Sequence, residues 1–508
     1  PKSGESARRQ GRWTKVERMA EKAVAQALQG LRPEQLAALG DAIQLVQSGR
    51  RQEDIAAIDT GDTAFILICT CLVLMMTIPG LALFYGGLSQ APNVLATVMH
   101  SFSITCLVTI LWLLFGYSMS FDPCNPVIGG SGSLFFGGLP FVGGTEEKPI
   151  VINPVMAKVS GTIPESLFFT FQCTFAVITA AIITGSFAER VRFGPMLIFI
   201  GIWHLLVYCP LCHWEWGGGF MSSWHVLDFA GGDVVHISSG VSGLAASLVV
   251  GKRKGFGQGA ELPPHNILLV FMGASLLWVG WFGFNAGSAV AAGQSAGMAM
   301  MVTHVSACAG GLSWMCLEWI LKGKPSVLGT VSGAVAGLVV VTPGSGFVDH
   351  FGAILCGITA GPVCYFGIQI KHMCGFDDAL DAFGVHGIGG IWGGIMTGLL
   401  ANPAIAGESG AFYGNGRQLG IQIAGIVTTM AYSFVMTLLI IIPLDFLLKA
   451  ITGKGMRVTE EAEDIGLDIS EHGESMMGHV AGPHDVTKFD ASTKGHDVIT
   501  TIQVGDAS

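Results

Sequence analysis

Eleven apolar stretches of about twenty residues each leave this chain little choice of fold. They run over roughly 63–86, 94–120, 164–187, 193–213, 228–250, 266–285, 292–320, 327–342, 349–371, 383–401 and 419–448. A helix of that length crosses the hydrocarbon core of a bilayer. Every backbone N–H and C=O within that core needs an internal partner, which favours helices over open strands. Composition agrees: 51% of residues are hydrophobic and 12% charged, about half the charged share of a soluble domain. The 72 glycines allow membrane helices to approach closely. The formal charge of −10 comes largely from ends and loops. Basic residues form no extended patch, so nothing points to a nucleic-acid partner. The expected fold class is an all-α polytopic membrane protein with eleven transmembrane helices.

Both ends differ from the middle. Residues 1–61 are polar and charged and form an extension, with short amphipathic helices expected over 13–31 and 33–47 and a linker after them. Residues 62–449 form the membrane domain. Residues 450–508 form a polar tail, expected to be disordered after about 475. Arg190 and Arg192, then Lys252, Arg253 and Lys254, then Lys322 and Lys324, then Lys371, occupy alternate loops, and Lys449, Lys454 and Arg457 follow the last span. The opposite loops hold only Lys148, Lys158 and Arg417. The bias puts the first set and the C-terminus in the cytoplasm and the N-terminus outside. Most of the twelve cysteines lie in apolar segments as small buried side chains, and no CxxC array forms a metal site.

Two histidines interrupt this apolar pattern in the same way. The fifth segment contains Val235-His236-Ile237-Ser238-Ser239-Gly240, the tenth Val385-His386-Gly387-Ile388-Gly389-Gly390, and both read V-H-x-x-x-G-x-x-G. An ionisable side chain at membrane depth is costly and marks a functional site by default. A second echo joins the first and sixth segments: Gly80-x-x-x-Phe84-x-x-Gly87 matches Gly280-x-x-x-Phe284-x-x-Gly287. Spans 1–5 and 6–10 are therefore repeats, over about 62–250 and 266–401, with an extra helix at 419–448. Five is odd, so the second repeat enters from the opposite face. In that inverted plan the substrate site lies near the midplane, between the repeats.

Further stretches have a definite counterpart. Ile78-Pro79-Gly80-Leu81-Ala82-Leu83-Phe84-Tyr85-Gly86-Gly87, Ala188-Glu189-Arg190-Val191-Arg192-Phe193, Trp216-Gly217-Gly218-Gly219, Asp228-Phe229-Ala230-Gly231-Gly232, Gly280-Trp281-Phe282-Gly283-Phe284-Asn285 and Phe383-Gly384-Val385-His386-Gly387 resemble the ammonium transporter (Amt/Rh) family, on its Amt side, from residue 62 to about 475. The resemblance implies an eleven-helix protomer with a 5+5 inverted repeat, one pore per protomer, assembly as a homotrimer, and residence in the inner or plasma membrane. It implies no enzyme activity, no cofactor and no metal. It assigns Phe175, Trp216 and Ser288 to an outer recruitment site for NH4+, with Asp228 supporting it. Phe171 and Phe284 become stacked gate rings, His236 and His386 the pore pair with Trp281 beside them, and Asp381 a residue of the cytoplasmic mouth. Ring faces attract a partly dehydrated cation, and a serine oxygen distinguishes ammonium, which donates hydrogen bonds, from potassium, which does not. Imidazole both donates and accepts, so two rings sharing a hydrogen form a relay, and burial disfavours charging both.

Two positions depart from the family pattern. Glu215 precedes Trp216, and Asp233 lies one turn before His236, where the family has apolar or small residues; Asp233 is expected to face either the pore or a protomer interface. Competing readings are an ammonium sensor on the same scaffold and an electroneutral gas channel of the Rh type. The tail from Gly455 to Glu474 resembles the one that supports block by a PII signalling protein, a candidate partner at the cytoplasmic face.

Overall fold

The computed structural model describes residues 58–136, 162–259, 262–476 and 478–479. The expected helices of the N-terminal extension, most of the long loop after the second span, and the tail beyond 479 lie outside the described residues. Ten helices there are long and apolar enough to cross a membrane: α1 (Thr60–Leu88), α2 (Ala91–Phe121), α3 (Glu165–Phe187), α4 (Phe193–Ser223), α5 (Gly232–Val250), α6 (Ile267–Gly287), α7 (Gln294–Lys322), α9 (His350–Cys374), α10 (Phe383–Leu400) and α11 (Gly416–Thr452). Between α7 and α9 runs a shorter apolar helix, α8 (Val327–Val341).

Side-chain caps fix where several helices begin. The Asp59 carboxylate accepts from the Asp62 amide at 2.8 Å. Asn266 accepts from Leu268 and Leu269 at the start of α6, Ser326 from Gly329 at α8, and Asp349 from Gly352 at α9. Each such cap satisfies an orphan amide and stabilises a helix by about 1 kcal/mol.

Helices α1 to α5 and α6 to α10 start from opposite faces, as an inverted repeat requires. The face carrying the C-terminal residues is called the tail face here, and its opposite the far face. The repeats meet through glycines. A Cβ on Gly87 of α1 would stand 2.6 Å from the Val270 amide of α6, and one on Gly287 of α6 would stand 2.9 Å from the Cys69 Cβ of α1. The two echoed motifs therefore lie in one antiparallel helix crossing. Helices α5 and α10 form the second such crossing, where a Cβ on Gly240 would overlap the Gly387 backbone.

On the tail face a buried charge cluster ties three loops together. Arg253 grips Asp377 with two bonds of 2.9 Å and reaches Glu189 at 3.1 Å. Arg190, fully buried, donates to the Asp377 carbonyl at 2.6 Å. The tail folds over this face through α12 (Glu460–Ile465) and α13 (Leu467–His472). Asp468 accepts from the Ala96 amide at 2.8 Å, and Glu471 from the Phe193 amide at 2.8 Å. After α13, β1 (Glu474–Ser475) pairs antiparallel with β2 (Gly478–His479).

Burial alone would raise the Asp377 carboxyl, but the hydrogen bonds of Arg253 and the charges of Arg190 and Arg253 outweigh it and hold the group below the usual carboxylate range. A depressed carboxyl stabilises the folded state above its unfolded value, about 3.9, and that contribution is lost as pH falls through the folded value. Asp377→Asn is expected to cost about 3–5 kcal/mol, nearer the lower end because Glu189 still pairs with Arg253. It should also flatten the acid limb of the stability profile. Thermal unfolding in detergent between neutral pH and pH 3 measures both effects.

Candidate functional site

The site is built where α5 and α10 depart from the α-helical path. Gly231 adopts φ +117°, a left-handed conformation that a glycine tolerates. Residues Gly232–Ile237 then form a wide π turn, and His236 sits on it. The amides opened by this break all point at Asp228. Its Oδ1 accepts from Gly231 and Gly232 at 2.8 and 2.6 Å, and its Oδ2 from Asp233 and Val234 at 2.8 and 3.2 Å. In α10, residues Phe383–Gly387 form the matching π turn with His386 on it. There Asp378 Oδ2 accepts from Phe383 at 2.8 Å and from Gly384 at 3.3 Å.

These two turns bring the histidines together. His236 Nδ1 and His386 Nδ1 are 3.2 Å apart, and both rings are buried. Trp281 lies nearly parallel to His236, with centroids 5.5 Å apart, and its indole N–H is fixed by Thr342 Oγ1 at 2.9 Å. Apolar side chains, among them Met76, Ile178, Val235, Leu277 and Val335, complete a narrow lumen around the pair.

Above the histidines, toward the far face, aromatic rings close the lumen. The sequence reading stacks Phe171 on Phe284 and assigns Phe175 to recruitment. The rings are arranged the other way. Phe175 faces Phe284 at 4.3 Å between centroids, tilted by 33°. Helix α3 runs from the far face toward the tail face, so Phe171 lies one turn further out than Phe175. There its ring contacts the position of Gly287, next to Ser288. The exchange follows from the antiparallel course of α3 and α6: Phe171 and Ser288 share the outer level, Phe175 and Phe284 the inner one. Sequence spacing of four residues does not reveal which ring lies deeper against a partner helix.

Trp216 meets Phe175 edge-on at 5.9 Å and donates from its indole to the Asp228 carbonyl at 2.9 Å. Ser288 Oγ donates to the Phe284 carbonyl at 2.8 Å, so its hydrogen is committed and its lone pairs are left to accept. Asp233 does not face the pore or a protomer interface. A Cβ on Gly425 of α11 would stand 3.2 Å from its Oδ2, so the carboxylate points at the last helix, within the protomer.

Below the histidines the lumen opens into a tail-face vestibule of about 470 Å³, lined by Phe84, Tyr85, Lys371, Asp381 and His386 among others. Asp381 pairs with Lys371 at 2.6 Å. Sequence reasoning missed Asp378, although a signal was present: it precedes His386 by eight residues, as Asp228 precedes His236. Burial, then the charge of Asp381, raises the Asp378 carboxyl, and Lys371 opposes them. Phe84, the echo of Phe284, also lines the vestibule.

A bundle of eleven apolar helices around a closed apolar lane, with paired imidazoles at its centre, defines a membrane protein that passes a small solute. Residues 64–477 match the Ammonium Transporter Family. The chain is 49% identical over 417 residues to an ammonium transporter of Bacillus subtilis, covering 82% of this chain and 98% of that protein. It is 41% identical over 415 residues to ammonium transporter Amt1 of Archaeoglobus fulgidus, with the same coverage of both. The crystal structure of Candida albicans Mep2 is similar with a TM-score of 0.71 at 32% identity, over 80% of this chain and 87% of that one. A solved chain described as a sensor Amt protein gives 0.71 at 26% identity, over 81% and 98%. The chain belongs to the Ammonium Transporter Family, a family of multi-pass membrane transporters.

The ring arrangement separates two substitutions that look alike in sequence. Phe175→Ala should open the constriction and raise the water permeability of proteoliposomes severalfold, measured by stopped-flow light scattering. Phe171→Ala should leave water permeability near that of the unaltered protein, because the Phe175–Phe284 contact persists.

Proposed function

We propose that this protein takes up ammonium: it recruits NH4+ at the far face, strips one proton, and conducts NH3 along the apolar lane. The observation that carries this reading is the Nδ1–Nδ1 contact of 3.2 Å between two buried imidazoles in an otherwise apolar lumen. The recruiting groups are Trp216, Ser288 and Phe171, with the charge of Asp228 behind them. Cation–π attraction to such rings is worth up to about 2 kcal/mol when the cation is desolvated. Ser288 accepts an N–H of ammonium directionally. Potassium gains no such bond, and both ions lose hydration on entry.

Phe175 and Phe284 then exclude the hydrated ion. Ammonia, neutral and small, passes a ring contact that a charged species passes only at high cost. The proton lost by NH4+ travels separately. His236 lies against Phe284 at the outer end of the pair, and His386 lines the vestibule. A proton reaching Nε2 of His236 is handed on when the hydrogen between the two Nδ1 atoms shifts and His386 releases its own from Nε2. Bonds made and broken balance: one proton enters at His236 Nε2, one leaves from His386 Nε2, and the pair ends with the hydrogens on His236 Nε2 and His386 Nδ1.

The far face is on this reading the outside of a cell's inner or plasma membrane, and the C-terminus is cytoplasmic. The working assembly is a homotrimer in lipid, each protomer with its own lane. The tail folded across the tail face is the candidate surface for a PII signalling protein. Retention of such a protein by the full chain, and its loss on deletion of 455–508, would support that partner; equal retention by both would exclude the tail.

An ammonium jump on proteoliposomes tests the central reading. A saturable inward current is expected, and the absence of any ammonium-driven flux in correctly inserted protein would sink it. His236→Ala/His386→Ala should abolish the current if the rings carry the proton; full retention would reduce them to scaffold. Ser288→Ala should raise the ammonium KM about tenfold, since a hydrogen bond to a charged group is worth about 1.5–3 kcal/mol. Maximal current should change less.

A further inference from the structure

Ser288 stands one residue beyond α6, where helix bonds no longer fix the chain. The chain leaves it by an unusual turn. Val290 adopts φ +54°, in the left-handed region. That conformation is uncommon for any residue with a side chain and an outlier for a β-branched one. It persists only where the surroundings over-determine it. The Val290 side chain is buried, and two hydrogen bonds close the turn. From within, the Val290 amide donates to the Gly287 carbonyl at 2.8 Å. From outside, Asp62 of α1 accepts through Oδ1 from the Ala292 amide at 2.7 Å.

Asp62 reaches this turn through the same helix crossing that joins the repeats. Asp62, Ile66 and Cys69 are buried, and their i, i+4, i+7 spacing puts them on one face of α1. Cys69 meets α6 at Gly287. Two turns nearer the far face, Asp62 therefore stands beside the segment that follows Gly287. Phe65 of α1 and Ala289 pack on one small cluster with Ala286. Asp62 is itself held in place: its amide donates to the Asp59 carboxylate at 2.8 Å, and the Asp59 amide donates to the Thr162 carbonyl at 2.8 Å. An acid in a first helical turn is ordinarily explained by the helix dipole, a role that needs no partner on another element. Asp62 instead accepts from a backbone amide 230 residues away.

We infer that Asp62 is a positioning residue for ammonium recruitment: by holding the Ala292 amide it fixes the left-handed turn, and with it the backbone from which Ser288 reaches the ion. The bond from Ser288 Oγ to the Phe284 carbonyl sets the side chain, and Asp62 sets the backbone beneath it. Asp62 acts through the turn and not by contact with the ion. The inference rests on the proposed recruitment of ammonium by Ser288.

Hydrogen exchange of the full-length protein in lipid tests the positioning without any transport assay. In D62A, amide exchange over residues 288–293 should rise above that of the unaltered protein. D62N, whose side-chain oxygen still accepts, should keep it low. For recruitment, the ammonium KM of the current in proteoliposomes should rise severalfold in D62A, with maximal current changed less, and D62N should restore it. D62A added to S288A should raise KM no further, because effects that pass through one group are not additive. A292P removes the same bond from the loop side, at an exposed position, and should raise KM as D62A does. It decides the matter if D62A fails to fold, as judged by gel filtration. Unchanged exchange in D62A, unchanged KM in D62A or A292P, or additivity with S288A overturns the inference. So does a KM in D62N as high as in D62A, since charge rather than the hydrogen bond would then be at work. Unaltered protein with no ammonium current would sink the recruitment reading and leave the exchange result standing.

Discussion

The rest of the site depends on two carboxylates that satisfy broken helices. At membrane depth an unpaired amide costs several kcal/mol, so a helix cannot widen there without new acceptors. Asp228 supplies them for four amides of α5, and Asp378 for two of α10. The wide turns they permit rotate His236 and His386 toward each other. Asp377, next to Asp378, is clamped by Arg253 and backed by Arg190. The tail-face ion cluster thus holds the loop that holds the second cap, and packing far from the lane fixes a distance inside it.

Most of the architecture was legible because membrane burial makes sequence patterns strict. Eleven apolar stretches correspond to the eleven apolar helices, and their bounds shift by only a few residues at most ends. The duplicated glycines were legible for the same reason: a helix crossing as close as that of Gly87 on Val270 admits no side chain. The echo of Asp228 was equally readable at Asp378, because both stand eight residues before their histidine. The order of Phe171 and Phe175 was not readable. Both are buried phenylalanines on one helix face, and only the relative height of α3 and α6 decides which meets Phe284. Asp233 was misjudged for a related reason. On a regular α-helix a residue three before His236 shares its face, but the π turn adds a residue and swings Asp233 toward α11.

Polar groups are rationed along the lane in a way that favours the proposed chemistry. Ser288, Trp216 and the cap of Asp228 stand at the outer end, the imidazole pair at the centre, and Lys371 with Asp381 in the vestibule. Between these stations the walls are rings and aliphatic side chains. A hydrated cation finds no continuous set of partners, whereas a neutral molecule loses little between stations. Asp233, which departs from the family pattern, respects this division, since its carboxylate points at α11.

The orientation of the imidazoles matters more than their proximity. Contact through both Nδ1 atoms leaves each Nε2 to look outward. His236 lies against Phe284, and His386 borders the vestibule. On the proposed reading, the pair gives a proton an entry nitrogen at one end and an exit nitrogen at the other, with a single hydrogen moving between them. Trp281 stacks on His236 and is itself pinned by Thr342, which restrains the ring from turning away. On the proposed reading the two polar rings have a use that bulky apolar side chains, which would narrow the lane at lower cost in a membrane, would not supply.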